Sequence, residues 1–197
     1  MEDVEEHEDG RDDALPRFQE IYEGHYAAVY AYARRRTLVD ADAQDAVAET
    51  FTIAWRRVGE MPAGDAARAW LYGVARRVLA NQRRGDRRRA SLSVRLRGQD
   101  AATIEIEGDV LAADDRRIVL AALGRLREAD RELLRLAVWE ELPHREIAAV
   151  VGCSEGSVAV RLHRARGRLA REIGKEERRA GQEATEDPER RAEGSTS

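Results

Sequence analysis

Residues 145–166 read REIAAVVGCSEGSVAVRLHRAR, and the fold is decided there. A short helical pattern over Pro143–Val151 breaks at Gly152-Cys153, and a second runs over Glu155–Arg171. Gly152 permits the backbone angles that a tight turn between helices requires. Ala148 is small where two helices would cross, and Ser154 is well typed to cap the second helix. In that helix Val158, Leu162, Ala165 and Leu169 recur at steps of 4, 3 and 4, making one apolar face. Ser157, Arg161, Arg164 and Arg168 take the same steps on an outer face. A helix that reads duplex DNA needs that division, with apolar residues inward and hydroxyl and guanidinium groups toward the major groove. The plainer reading is a helical hairpin with a solvated Arg face. It leaves the agreement of turn glycine, cap, apolar steps and Arg stripe unexplained.

Working outward, the Leu-rich runs Ile118–Leu126 and Arg131–Val138 predict two more helices that pack on each other. They complete a four-helix domain over 112–174. The stretch 90–111 before it is polar and reads as a flexible linker; its core, GQDAATIEIEGD at 98–109, holds four acids and no base. Only the fragment Thr103–Ile106 alternates like a strand. The chain is therefore expected to be all-α, with two small helical domains.

The first domain, 14–89, shows three helix patterns. Phe18, Tyr22, His25, Val29 and Tyr32 fall on one stripe, with His25 at the core edge. Asp40-Ala41-Asp42 offers N-cap candidates for a second helix. That helix turns Ala43, Val47, Phe51, Ala54 and Val58 inward and Asp42, Asp45, Glu49, Thr52 and Arg56 outward. Pro62 and Gly64 break the chain within MPAGD, 61–65. A third helix places Leu71, Val74, Ala75, Val78 and Leu79 inward, and Arg76, Arg77, Arg83 and Arg84 outward, with Trp70 and Tyr72 near its start.

The net charge of −4 hides a strong segregation. The head, 1–13, carries −7 with almost nothing apolar and reads as disordered; the Glu/Arg-rich tail, 175–197, carries −2 and reads likewise. Residues 66–97 hold ten Arg against one Asp. Basic charge is nearly all Arg, since Lys175 is the only lysine, and the Arg fork matches phosphate and base edges as an ammonium does not. Aromatic residues beside a basic stripe suit single-stranded DNA, whose bases stack on rings while phosphates meet Arg.

Other chemistry is not written in the chain. One cysteine, Cys153, excludes an intrachain disulfide and reads as a small buried hydrophobe. His7, His144 and His163 have no ligand spacing to one another, and the carboxylates at 42, 45 and 49 have no histidine beside them, so no metal site is expected. No Walker motif, dinucleotide fingerprint or nucleophile elbow is present, so neither an enzyme nor a bound cofactor is expected. No run approaches the roughly 20 apolar residues of a membrane span, and the acidic start is not a signal peptide. A cytoplasmic protein without membrane insertion is the expectation.

Three stretches in this order resemble a known family. DAQDAVAETFTIAW, 42–55, and ARAWLYGVARRVLANQRR, 67–84, are similar to region two of bacterial RNA polymerase sigma factors of the extracytoplasmic-function (ECF) group, within the sigma-70 family. REIAAVVGCSEGSVAVRLHRAR resembles their region-four helix-turn-helix, and the resemblance covers about 14–174. It implies a transcription initiation factor that binds core RNA polymerase and directs it to minus-ten and minus-thirty-five promoter elements. It places polymerase binding on Asp42, Asp45, Glu49 and Phe51. It places minus-ten opening on the loop Met61–Asp65 and on Arg68, Trp70, Tyr72, Arg76, Arg77, Asn81, Arg83 and Arg84. It places minus-thirty-five reading on Ser154, Glu155, Ser157, Val158, Arg161, Arg164 and Arg168. By the same resemblance the acidic linker lies in a basic polymerase channel, and an anti-sigma factor is a further expected partner.

The chain departs from the family at two points. Ala159-Val160 stands where members often carry Lys or Arg then Ser, which suggests apolar contact with thymine methyls. Ala75-Arg76-Arg77 stands where many have Ala-Arg-Asn. A stand-alone helix-turn-helix regulator would explain 112–174 but leave the acidic and Arg-aromatic helices idle. An enzyme acting on nucleic acid would need a metal or nucleophile cluster that the sequence lacks.

Overall fold

The computed structural model describes residues 14–92 and 113–193, and every regular element among them is helical. In chain order these are α1 (Ala14–Arg34), α2 (Asp40–Arg56), a 3-10 turn (Val58–Glu60), α3 (Asp65–Leu92), α4 (Ala113–Arg125), α5 (Glu128–Val138), α6 (His144–Val151) and α7 (Glu155–Glu193). The acidic head 1–13, the segment 93–112 with Thr103–Ile106, and residues 194–197 lie outside the described residues. The described residues form two compact units, one of 14–92 with Leu142–Ser154 and the other of 113–141 with 155–193. Sequence order and compactness therefore differ for α6, which shares a unit with α1–α3.

In the first unit α1, α2 and α3 pack pairwise. The apolar stripes expected on α2 and α3 are buried, from Ala43, Val47, Phe51 and Ala54 to Leu71, Val74, Ala75, Val78 and Leu79; Val58, expected to end the first stripe, lies beyond α2 in the 3-10 turn and is half-buried. On α1 the inward face is Ile21, Val29, Tyr32 and Ala33, so the expected stripe is only half right: Tyr22 is exposed and Phe18 half-buried. The cause is Phe51, which reaches across from α2. The rings of Phe18, Tyr22 and Tyr26 gather on it at 6.4, 4.8 and 6.1 Å, forming an aromatic seam with one wet edge.

Asp40 does not cap α2. Val39 holds the N-cap position without a side-chain hydrogen bond. Asp40 instead ties the end of α1 to the start of α2. Its carboxylate accepts from the Tyr30 hydroxyl and from Gln44 Nε2 (2.7 Å), and lies 3.2 Å from Arg34 Nε. That hydrogen bond, first among its causes, raises the Tyr30 phenol above its usual range. After the 3-10 turn Met61 is buried and its carbonyl accepts from the Arg17 guanidinium, so the start of α1 is fastened to the loop that precedes α3.

In the second unit α4 and α5, expected to pack on each other, each lie along α7. A long central helix gives both a common apolar partner: Ala122, Leu123, Leu133, Leu134 and Leu136 are buried with Val158, Leu162 and Ala165. Arg131 Nη2 closes the end of α4 by donating to the carbonyls of Gly124 (3.1 Å) and Leu126 (3.0 Å). Glu132, Arg135 and Glu140 are also buried, which the apolar periodicity did not reveal.

α7 continues to Glu193, through most of the tail expected to be disordered. Its composition allows this, because Glu and Arg are good helix formers. Glu172 pairs with Lys175 (2.7 Å) and Glu176 with Arg179 (2.8 Å) at helical spacing, and Arg125 reaches Glu176 from α4. No described helix is long and apolar enough to cross a membrane, and no group of His, Cys, Asp and Glu among the described residues is arranged to hold a metal.

Candidate protein and nucleic-acid interfaces

The first surface is the outer face of α2. Asp42, Asp45 and Glu49 are exposed with Thr52 and Arg56, opposite the buried Ala43, Ala46, Val47, Thr50 and Ala54. None of the three carboxylates takes an ion pair or hydrogen bond among the described residues. Thr50 remains buried because its hydroxyl donates to the Ala46 carbonyl at 2.6 Å. Phe51, expected to share the acidic surface, is 4% exposed and forms the centre of the aromatic seam. It supports that surface from behind.

The second surface belongs to α3. Arg77, Asn81 and Arg84 are exposed; Arg68, Trp70, Arg76 and Arg83 are half-buried. The Arg84 guanidinium donates to Asn81 Oδ1. Arg57, which sequence reading did not single out, lies 5.5 Å from the Trp70 ring centre. It also donates from Nε to Glu60 Oε2 at 3.1 Å, and this hydrogen bond holds the Glu60 carboxyl below its usual range. Arg57 is brought to Trp70 by the turn between them, and no local pattern could have signalled it.

Tyr72 does not belong to this surface. It is 2% exposed and its ring stacks on Tyr32 at 4.7 Å and 15°. Arg36 lies 3.5 Å from the Tyr32 ring centre and donates from Nη1 to the Tyr32 carbonyl at 2.9 Å. Tyr72 is therefore a core residue, unavailable to a DNA base in this fold. A usable signal was present: Tyr72 stands three and seven residues before the inward Ala75 and Leu79.

The third surface starts at the turn before α7. Gly152 has φ 74°, and the Gly152 and Cys153 N–H groups both donate to the Ala148 carbonyl, at 2.9 and 3.1 Å. Cys153 is half-buried, because the turn lifts it partly out of the core that its small apolar character suggested. Ser154, just before α7, and Glu155, Ser157 and Arg164 on it are exposed, and Arg161 is half-buried. Ala159 and Val160 are exposed beside them. Val158 is fully buried, so it anchors the helix instead of touching DNA. Arg168 is held by Asp130, at 2.9 and 3.0 Å.

An all-α chain with an acidic helix face, an Arg-aromatic helix and a helix-turn-helix defines a class of transcription initiation proteins, and comparison with known proteins agrees. The family described as Sigma-70 region 2 matches residues 21–89, and Sigma-70, region 4 matches 116–169. The ECF RNA polymerase sigma factor SigL of Mycobacterium tuberculosis is 33% identical over 148 residues, covering 73% of this chain and 81% of that protein. BldN, an ECF sigma factor of Streptomyces coelicolor, is 32% identical over 176 residues, covering 87% and 64%. The fold is similar to that of the sigma factor RpoE solved with the anti-sigma factor NepR from Bartonella quintana, at TM-score 0.56 and 24% identity over 84% of this chain and 97% of that one. The chain belongs to the ECF RNA polymerase sigma factors. It is a transcription initiation factor that binds core RNA polymerase and directs it to promoters, without catalytic chemistry of its own.

Proposed function

We propose that the work of initiation is divided among the three surfaces. The exposed carboxylates Asp42, Asp45 and Glu49 dock α2 on core polymerase, and Phe51 fixes the helix that bears them. Arg68, Trp70, Arg76, Arg77, Asn81, Arg83 and Arg84, with the loop Met61–Asp65, hold the opened minus-ten strand. Trp70 offers the ring for a base, and the guanidinium groups meet phosphates. The start of α7 reads the minus-thirty-five duplex through Ser154, Glu155, Ser157, Arg161 and Arg164, and Ala159 and Val160 present apolar groups to thymine methyls. The first helical domain is taken as 14–89 and the second as 112–174, with 90–111 as linker. The site of action is the cytoplasm, and an anti-sigma factor, like the NepR bound by the structurally similar RpoE, is a proposed regulator.

The observation that carries this reading is the division of α2: three unpaired carboxylates on one face, and a wholly buried opposite face. Exposed charges of this kind contribute little to folding. The double variant Asp45→Arg/Glu49→Arg is expected to keep its helicity and melting temperature and to lose holoenzyme formation with purified core polymerase. Normal holoenzyme formation by a folded double variant would contradict the assignment.

A further inference from the structure

A cavity of about 550 Å³ opens between α3 and α6, both of the first unit. That volume is in the range of small-molecule sites. The two helices pack closely at Gly73, where an added Cβ would stand 3.8 Å from the Cα of Val150. Beside that contact the lining residues are small, Ala69 on α3 and Ala149 on α6, and they leave the space open.

The rest of the lining is graded by exposure. Glu146, in the first turn of α6, has a side chain only 12% exposed. Its Oε2 is shielded from solvent and has no hydrogen-bond partner among the described residues. Arg68 and Arg145 stand 3.9 and 3.8 Å from its two oxygens, too far to donate. The Trp70 ring is half-buried, and Arg57, Arg77 and Arg145 are exposed. A shielded carboxylate without hydrogen bonds calls for donors, an indole face for a flat ring, and exposed guanidinium groups for phosphates. A nucleotide carries all three. The carboxylate decides the base. It only accepts, through two oxygens, so its partner must present two adjacent donors. Guanine does so with N1–H and its 2-amino group. Adenine and cytosine set a ring-nitrogen acceptor beside their amino donor, and uracil sets carbonyl acceptors on both sides of its single N–H. The terminal torsion of a glutamate is soft, so both oxygens can turn to the cavity.

We propose that this cavity is a binding site for a guanosine 5′-phosphate, in which Glu146 accepts from the guanine edge, Trp70 stacks on the base, and Arg57, Arg77 and Arg145 meet the phosphates. A ligand held in this way ties α6 to α3 and stabilises the first unit. Trp70 and Arg77 also belong to the surface proposed for the minus-ten strand. Glu146 and Ala149 do not, so the site is tested through those two.

Isothermal titration calorimetry of the full chain, without polymerase, tests this with GTP, ATP and guanosine. GTP is expected to bind at a single site. ATP should bind about tenfold or more weakly, the discrimination given by one bidentate pair. Guanosine should also bind about tenfold or more weakly, for want of the charge-assisted bonds to phosphate. Glu146→Gln replaces one acceptor by a donor and so matches the adenine edge. It should reverse the order and bind ATP more tightly than GTP, a change that loss of folding could not produce. Ala149→Leu fills the cavity with a good helix former. It should keep its helicity and lose about tenfold or more in GTP affinity. The site would be overturned by any of four results: no GTP binding, equal affinity of wild type for GTP and ATP, an unchanged preference in Glu146→Gln, or full GTP affinity in Ala149→Leu.

Discussion

Arg168 Nη1 reaches both carboxylate oxygens of Asp130, at 2.9 and 3.0 Å, and so pins α7 to the first turn of α5. Its place in the Arg stripe of the recognition helix suggested a phosphate contact, but the side chain is already engaged. Arg168→Ala is therefore expected to lower stability by about 0.5–1 kcal/mol, the range for a partly exposed pair. The salt dependence of promoter binding should not change. Arg164→Ala should do the reverse, sparing the melting temperature and lowering the salt slope by about 1. Thermal melts and a salt titration on minus-thirty-five duplex distinguish the two. A lowered slope for Arg168→Ala would return it to the DNA surface.

The stack of Tyr72 on Tyr32 gives a second expectation. Removing a buried ring costs about 3–5 kcal/mol through lost burial and the cavity left behind. Tyr72→Ala should unfold the first domain at lower denaturant, whereas Tyr72→Phe should retain the stack and promoter opening. A well-folded Tyr72→Ala would show that the ring is not part of the core.

Gly152 gives a third. Its φ of 74° lies in the left-handed region, yet nothing stands within 4 Å of an added Cβ. Gly152→Ala should thus cost about 1–2 kcal/mol from backbone strain alone, and Gly152→Asn less, since asparagine visits this region more readily. Equal stability of all three proteins in urea unfolding would contradict the strain.

Much of this architecture was legible because helical periodicity is a local signal. The inward stripes of α2 and α3, the Arg face of α7 and the turn at Gly152 each follow from steps of 3 and 4 residues within one helix. Legibility ended where two elements act together. Phe51 draws Phe18 and Tyr22 to an edge that α1 alone does not specify. Asp40 is typed as a cap, but the Tyr30 hydroxyl and Arg34 compete for it from another helix. Arg168 fits the DNA stripe by spacing and is taken by Asp130, 38 residues away. At the start of the tail the composition suggested disorder, while the spacing of Glu172 to Lys175 and Glu176 to Arg179 supports helix.

The proposed hold of α3 on the opened minus-ten strand is tested most directly by permanganate footprinting of the promoter bubble. Holoenzymes carrying wild-type chain, Trp70→Ala and Tyr72→Phe would be compared at equal occupancy of core polymerase. Stacking of a base on an aromatic ring is worth about 1–3 kcal/mol. Thymine reactivity across the minus-ten element should therefore fall by about tenfold in Trp70→Ala and stay at the wild-type level in Tyr72→Phe. Wild-type reactivity in Trp70→Ala would contradict the assignment of this surface to the opened strand.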